Sequence, residues 1–419
     1  MALHSIKKNA GVQRMVALIA QRGSAQGFVF LSTLFTAKYA TPEVFGQVGL
    51  FTSLCSFFSM GAGLRLEIRG LVCKRQQTRE RFLAMAYAAN LFFFAAGMAV
   101  VAACFAVANP PTWLWLVPTG ILLWSLIQYV LPAQNSSAGE LRKLGWMNQV
   151  IAAVTSGGQI LAAIFLPSTG ALIGSRLSGW GAGAMFMVGH VRRGLRQMAK
   201  LRLVDAKRIL RSSRREILFG VPASIVSVAA LQVPVYVLTF YSKQSYVGLY
   251  WLAFNLLFVP YLIVASSTRP IFLRSVAQWR GSKHAHAKMK TLTLLSLLGG
   301  GLVSGALAFA CWVVVRFFLG PEWQEAANFA IALSMLLATL IMQTPLSFAI
   351  SAFDLQRANL IAGVVQVGAR FLAMAVSLQI SDSAITAMIS FSLASALTYI
   401  GYALYCLRVI RLRSPISSA

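Results

Sequence analysis

Arginines interrupt stretches of this sequence that are otherwise apolar. Arg22 stands beside Gln21 and Gln26, and Arg65, Glu67 and Arg69 close one long hydrophobic run. Arg176, Arg269, Arg316 and Arg370 are set in or at the ends of others. A guanidinium at the centre of a bilayer costs about 2.5–3.5 kcal/mol even on the forgiving insertion scale. It cannot shed its proton to escape that cost, and its planar fork grips phosphate through two parallel hydrogen bonds. The chemistry on offer is therefore capture of a phosphorylated anion in a hydrated chamber within an apolar body. Arg22, Arg65, Arg69, Arg269 and Arg370 are the residues expected to bind it. For Arg65, Arg69 and Arg269 a second reading stays open, because each is near an inner helix end where a long stem can reach the headgroups. Arg22 and Arg370 lie about eight and twelve residues from a helix end, too deep for that escape to be easy. Arg176 and Arg316, near outer ends, read as surface anchors.

The acidic residues point away from other chemistries. All ten fall in loops or near helix ends, so none offers the mid-membrane carboxylate that a proton- or sodium-coupled drug antiporter would use. Glu67 comes nearest, and reads as a local partner for Arg65 or Arg69. A membrane enzyme of polysaccharide assembly would need acids or bases held over its substrate, and the short outer connections leave no room for them. His284 and His286 form a lone His-x-His in a basic loop, and the five cysteines show no metal-ligand spacing. No phosphate-binding Gly-rich loop followed by Lys-Ser/Thr is present. No cofactor and no metal are expected.

The elements that must position these arginines follow from composition. Hydrophobic residues make up 58% of the 419 and charged residues 11%; a soluble surface would need about twice that charge. A span takes roughly 20 apolar residues. Helices are expected at about 14–38, 45–71, 82–107, 112–133, 146–166, 171–190, 216–240, 248–272, 291–318, 326–352, 358–379 and 384–407. Short turns such as ATPEVFG, ANPPTW and QISDS separate them. Pro118, Pro222, Pro234, Pro260 and Pro345 interrupt the apolar runs themselves. The net charge of +27 is distributed gap by gap, which excludes nucleic acid as the partner. Of 37 Lys and Arg, 31 fall on one side of this arrangement, and only Lys38 and Lys243 on the other. Such a bias puts both termini in the cytoplasm and makes the number of spans even. The expected class is an all-α membrane protein of about twelve transmembrane helices, built as two six-helix bundles related by a pseudo-two-fold axis. The bundles cover 1–190 and 216–419, joined by a basic cytoplasmic linker at 191–215 that lies against anionic headgroups. A weak internal echo supports the repeat: Val48-Gly-Leu-Phe51 and Val247-Gly-Leu-Tyr250 each open a helix after a polar turn.

Tyr39-Ala-Thr-Pro-Glu-Val-Phe-Gly-Gln-Val-Gly-Leu50 resembles the helix 1–2 turn of bacterial polysaccharide and O-antigen flippases. Val247–Tyr250 with Pro260, and Phe318-Leu-Gly-Pro-Glu-Trp323, are similar to other segments of that family, which belongs to the multidrug/oligosaccharidyl-lipid/polysaccharide (MOP) superfamily. The resemblance implies a multi-pass protein of the bacterial inner membrane that moves an undecaprenyl-pyrophosphate-linked oligosaccharide to the periplasmic leaflet. Its partners would be that polyprenyl-linked glycan, membrane lipids and other polysaccharide assembly proteins. Related lipid II flippases carry cavity arginines on helices 1, 2 and 8, to which Arg22, Arg65, Arg69 and Arg269 are similar by type and helix. They also have two further helices, which are not among the twelve expected here. The rival functions are a multidrug antiporter of the same fold, a carrier for another anionic solute, and a membrane enzyme.

Overall fold

The computed structural model describes residues 10–73, 75–134, 141–214, 216–241, 243–279, 285–352 and 356–413; the side chains of 10–22 and 263–279, among others, lie outside that description. All regular structure in the described residues is helical. In chain order the helices are α1 (Ala10–Tyr39), α2 (Pro42–Ala62), α3 (Leu66–Val72), α4 (Gln76–Val107), α5 (Thr112–Gln134), α6 (Leu141–Phe165), α7 (Thr169–Phe186), α8 (Val188–Ala199) and α9 (Leu203–Ser212). They continue as α10 (Glu216–Phe240), α11 (Gln244–Trp279), α12 (Ala285–Phe318), α13 (Gln324–Ala352), α14 (Gln356–Ser381) and α15 (Ala384–Arg413).

Ten of these are long and apolar enough to cross a membrane. Helices α1 and α7 stand at the expected first and sixth spans, outside that set. Large apolar side chains point outward from the spanning helices, with Phe92 71% and Ile380 80% exposed. In water this would be untenable; in lipid, where each helix satisfies its own backbone, it is the required surface. The expected all-α membrane class is the class observed.

The chain forms two compact units. The first contains Met1–Ala40 and Val48–Val228; in it α6 packs on α1 and α7, and α4 packs on α3, α5 and α8. The second contains Thr41–Gln47 and Ala229–Ala419, where α13 packs on α11, α12 and α15, and α14 lies along α15.

Residues 188–212, mostly the stretch read from sequence as a linker, form two amphipathic helices. Ile209 of α9 enters a core with Leu66, Phe82, Ala86, Tyr87, Leu126 and Val130, and Met198 and Leu201 pack at its edge. Gly194 lets α8 close on α4: a Cβ there would lie 2.1 Å from the ring of Tyr87. That ring cannot swing away freely, because it is 2% exposed and its hydroxyl donates to Gln134 Oε1 at 3.0 Å. Gln134 in turn donates to His190 O at 3.1 Å, tying the end of α5 to α8. Gly194→Ala is expected to destabilise this packing by about 1–3 kcal/mol. Limited proteolysis should then cut the α8–α9 stretch first, and an unchanged cleavage pattern and thermal midpoint would contradict the packing.

Candidate functional site: an arginine node at a helix break

The helix expected to run unbroken through 45–71 is interrupted. It ends at Ala62, and Leu64 and Arg65 take left-handed backbone conformations with φ of 51° and 55°. Such conformations cost a non-glycine residue about 1–2 kcal/mol each. The chain redirects over Gly63–Arg65, with Leu66 N–H bonded to Gly63 O at 3.1 Å, and restarts as α3.

The break aims Arg65 and Arg69 at the start of α10, within the first unit. Arg65 donates to Ser224 Oγ and to Gly220 O, the latter at 3.4 Å, while the Ser224 hydroxyl itself donates to Gly220 O at 2.8 Å. Arg69 forms an ion pair with Glu216 and donates to Ser212 O at 2.6 Å. The first turn of α10, Glu216–Gly220, is a π-helical turn, wider than an α-helical one and frequent at functional sites. Ser212 O belongs to the last turn of α9, so Arg69 also satisfies a terminal carbonyl at the negative end of a helix. Arg79 does the same for α5, donating to Ala133 O at 2.6 Å and Gln134 O at 3.0 Å. Both expected site residues of this stretch are thus together, half-buried, at one node. Glu67 forms no hydrogen bond or close ion pair with either of them, though Arg65 is within electrostatic reach, and the residue is 6% exposed.

Arg370 lies in the second unit and is fully buried. Its guanidinium carbon sits 4.8 Å from the centre of the Tyr399 ring and 5.6 Å from that of Phe391. Nη1 donates to Ala230 O at 2.8 Å. The reason that carbonyl is available lies four residues on, at Pro234 inside α10. Proline has no N–H to return to the carbonyl of residue i−4, so Arg370 supplies the missing donor. Its Nε and Nη2 have no hydrogen-bond partner. In this conformation Arg370 is enclosed by packing.

Arg22 and Arg269 are on α1 and α11, but their side chains lie outside the described residues. Arg176 differs from the surface anchor expected: its Nε is buried without a hydrogen-bond partner, within electrostatic reach of Cys55 on α2. Arg316 donates to Gln324 Oε1 at 3.2 Å in an exposed position, as an anchor would. The sequence reading missed Ser224, Gly220 and Glu216 as partners of the node. It had noted Pro234 without counting back to the carbonyl that this proline frees. Among the described residues no group of three His, Cys, Asp or Glu could hold a metal ion.

No family model matches the sequence, and no curated protein matches it either. Solved structures do match in fold. A lipid II flippase, MurJ, in an inward closed conformation superposes with a TM-score of 0.70 at 14% identity, over 94% of this chain and 87% of that one. An inward-facing multidrug resistance MATE transporter of the MOP superfamily gives 0.67 at 12% identity, over 96% of this chain and 100% of the other. A MATE transporter variant from Vibrio cholerae gives 0.56 at 10% identity, over 96% and 98%. At these identities the likeness is one of fold, which this chain shares with a lipid II flippase and with MATE transporters.

Proposed function

We propose that the chain is a transporter of the bacterial inner membrane that passes an undecaprenyl-pyrophosphate-linked oligosaccharide from the cytoplasmic to the periplasmic leaflet, for O-antigen or exopolysaccharide assembly. One observation carries the reading: Arg65 and Arg69 are held half-buried at a strained break, and Glu216 is the one carboxylate bonded to either of them among the described residues. A surplus of fixed positive charge suits a pyrophosphate leaving the interface. The fold shared with a lipid II flippase supports a lipid-linked cargo. Arg22, Arg269 and Arg370 complete the proposed binding set. The mechanism is alternating access between six-helix halves at 1–190 and 216–419, with both termini cytoplasmic. The arginines hold the pyrophosphate, the sugars cross in water, and the isoprenoid tail stays in lipid.

A drug-exporting function is the rival, supported by the fold shared with MATE transporters. The test is the double variant Arg65→Gln/Arg69→Gln expressed at wild-type level in a strain lacking the native gene. Surface polysaccharide should fall at least about tenfold, equivalent to about 1.4 kcal/mol lost at the binding step. Full polysaccharide export with altered tolerance to cationic drugs would favour the rival.

A further inference from the structure

Glu67 is used by neither the ion pairs nor the arginine contacts described above. Its residue is 94% buried, and Oε2 has no hydrogen-bond partner. Asn90 of α4 is 1% exposed; its Nδ2 donates to Ala86 O at 2.8 Å, which fixes the amide orientation, and its Oδ1 is left without a partner too. Both side chains lie against the same glycine. A Cβ built on Gly63 would lie 2.7 Å from Glu67 Oε2 and 3.5 Å from Asn90 Nδ2. A buried acceptor oxygen without a donor is costly, about 1–3 kcal/mol for each unsatisfied group. A proton on the carboxyl would remove the buried charge and spare that cost. A metal cation fits less well, because it needs about six oxygen ligands and this site offers two free ones.

We propose that Glu67 is a proton-binding site, occupied in this conformation. On release the proton goes to water and the carboxylate charge stays beside Arg65. The groups facing Glu67 bear this out. Its own element brings Arg65, α5 brings Tyr129, and the first turn of α10 brings Glu216. From α4 the neighbouring group is the uncharged Asn90. Glu67 lies outside the ten spans, and desolvation pushes its carboxyl up to about 7; its own backbone N–H and Arg65 pull the other way, and Glu216 adds to the rise. The site is therefore loaded below neutral pH and emptied above it. An emptied site would draw Arg65 from its neutral partners Ser224 and Gly220 toward the new anion, so proton occupancy sets the state of the arginine node. The strained break at Leu64–Arg65 is the element that such a move would relax.

The test needs no transport assay, so it stands or falls apart from the proposed cargo. Infrared difference spectra of the purified full-length chain, taken between about pH 5 and about pH 9, read the carbonyl stretch of protonated carboxyls. Wild type should show a band that titrates at about 7. Glu67→Gln should lack it, and Arg65→Gln, which removes the facing cation, should move its midpoint up by about one unit. A near-neutral band that survives in Glu67→Gln overturns the proposal. So does the absence of such a band in wild type, or a band set by sodium or potassium concentration in place of pH.

Discussion

Replacing Arg370 by methionine should destabilise the protein by about 1–3 kcal/mol, because the Ala230 carbonyl is then buried without a donor. Arg370→Ala should cost about 3 kcal/mol or more, since it also leaves the space between the Tyr399 and Phe391 rings unfilled. The proline supplies the decisive control. Pro234→Ala gives Ala230 O an intrahelical partner, so it should recover much of the loss in Arg370→Met. The two substitutions should then be non-additive by about 0.5–3 kcal/mol, the range found for residues sharing one network. Thermal midpoints of the four proteins in the same detergent would measure this, and strictly additive shifts would refute the pairing. The same set divides structure from transport. If Arg370→Met with Pro234→Ala folds normally but exports poorly, the charge itself is needed, and packing must open to let it meet the cargo. Normal export in that variant would leave Arg370 a purely architectural cation.

Much of this architecture was readable one residue at a time. Apolar run length located the helices, because each span must satisfy its backbone internally and so announces itself in composition. The positions of Pro234, Arg65 and Arg69 were equally plain. What could not be read was which group meets which. Arg370 and Ala230 are 140 residues apart, and no local period relates them. The π-helical turn at Glu216–Gly220 has no compositional signature, so Arg69 appeared free for a ligand when it is in fact bonded to Glu216. The stretch at 191–215 was a different kind of miss. Its basic residues dominated the reading, yet Gly194 and Met198 mark a helical face that packs on α4 and, with Leu201 in the turn that follows, on the core around Ile209. Glu67 was weighed by its charge alone. Its burial beside Asn90 depends on a chain reversal at Gly63–Arg65 that a run of apolar residues does not disclose.

Gly248→Ala should impair folding severely. A Cβ at Gly248 would sit 1.8 Å from Pro42 O and 2.7 Å from its carbonyl carbon. The reciprocal position is no looser, because a Cβ at Gly46 would lie 2.5 Å from Gln244 O and 2.9 Å from Gly248 N. Within the second unit, the first turn of α2 and the opening turn of α11 therefore meet backbone to backbone. Neither backbone can yield by a rotamer change, and their surroundings are already filled. Val247 and Tyr250 are fully buried, with the Tyr250 hydroxyl donating to Leu231 O at 2.7 Å. Overpacking of this kind costs about 1–3 kcal/mol when side chains can adjust and more when they cannot, so a loss of about 3 kcal/mol or more is expected. Gly299, within α12, provides the matched control, as a Cβ there meets nothing within 4 Å. Gly299→Ala should be neutral or stabilising by up to about 1 kcal/mol, through helix propensity alone. Yield of monodisperse protein and the thermal midpoint would separate the two. A Gly248→Ala protein as stable as Gly299→Ala would mean that the Val-Gly-Leu-Tyr turn does not approach Pro42 as described.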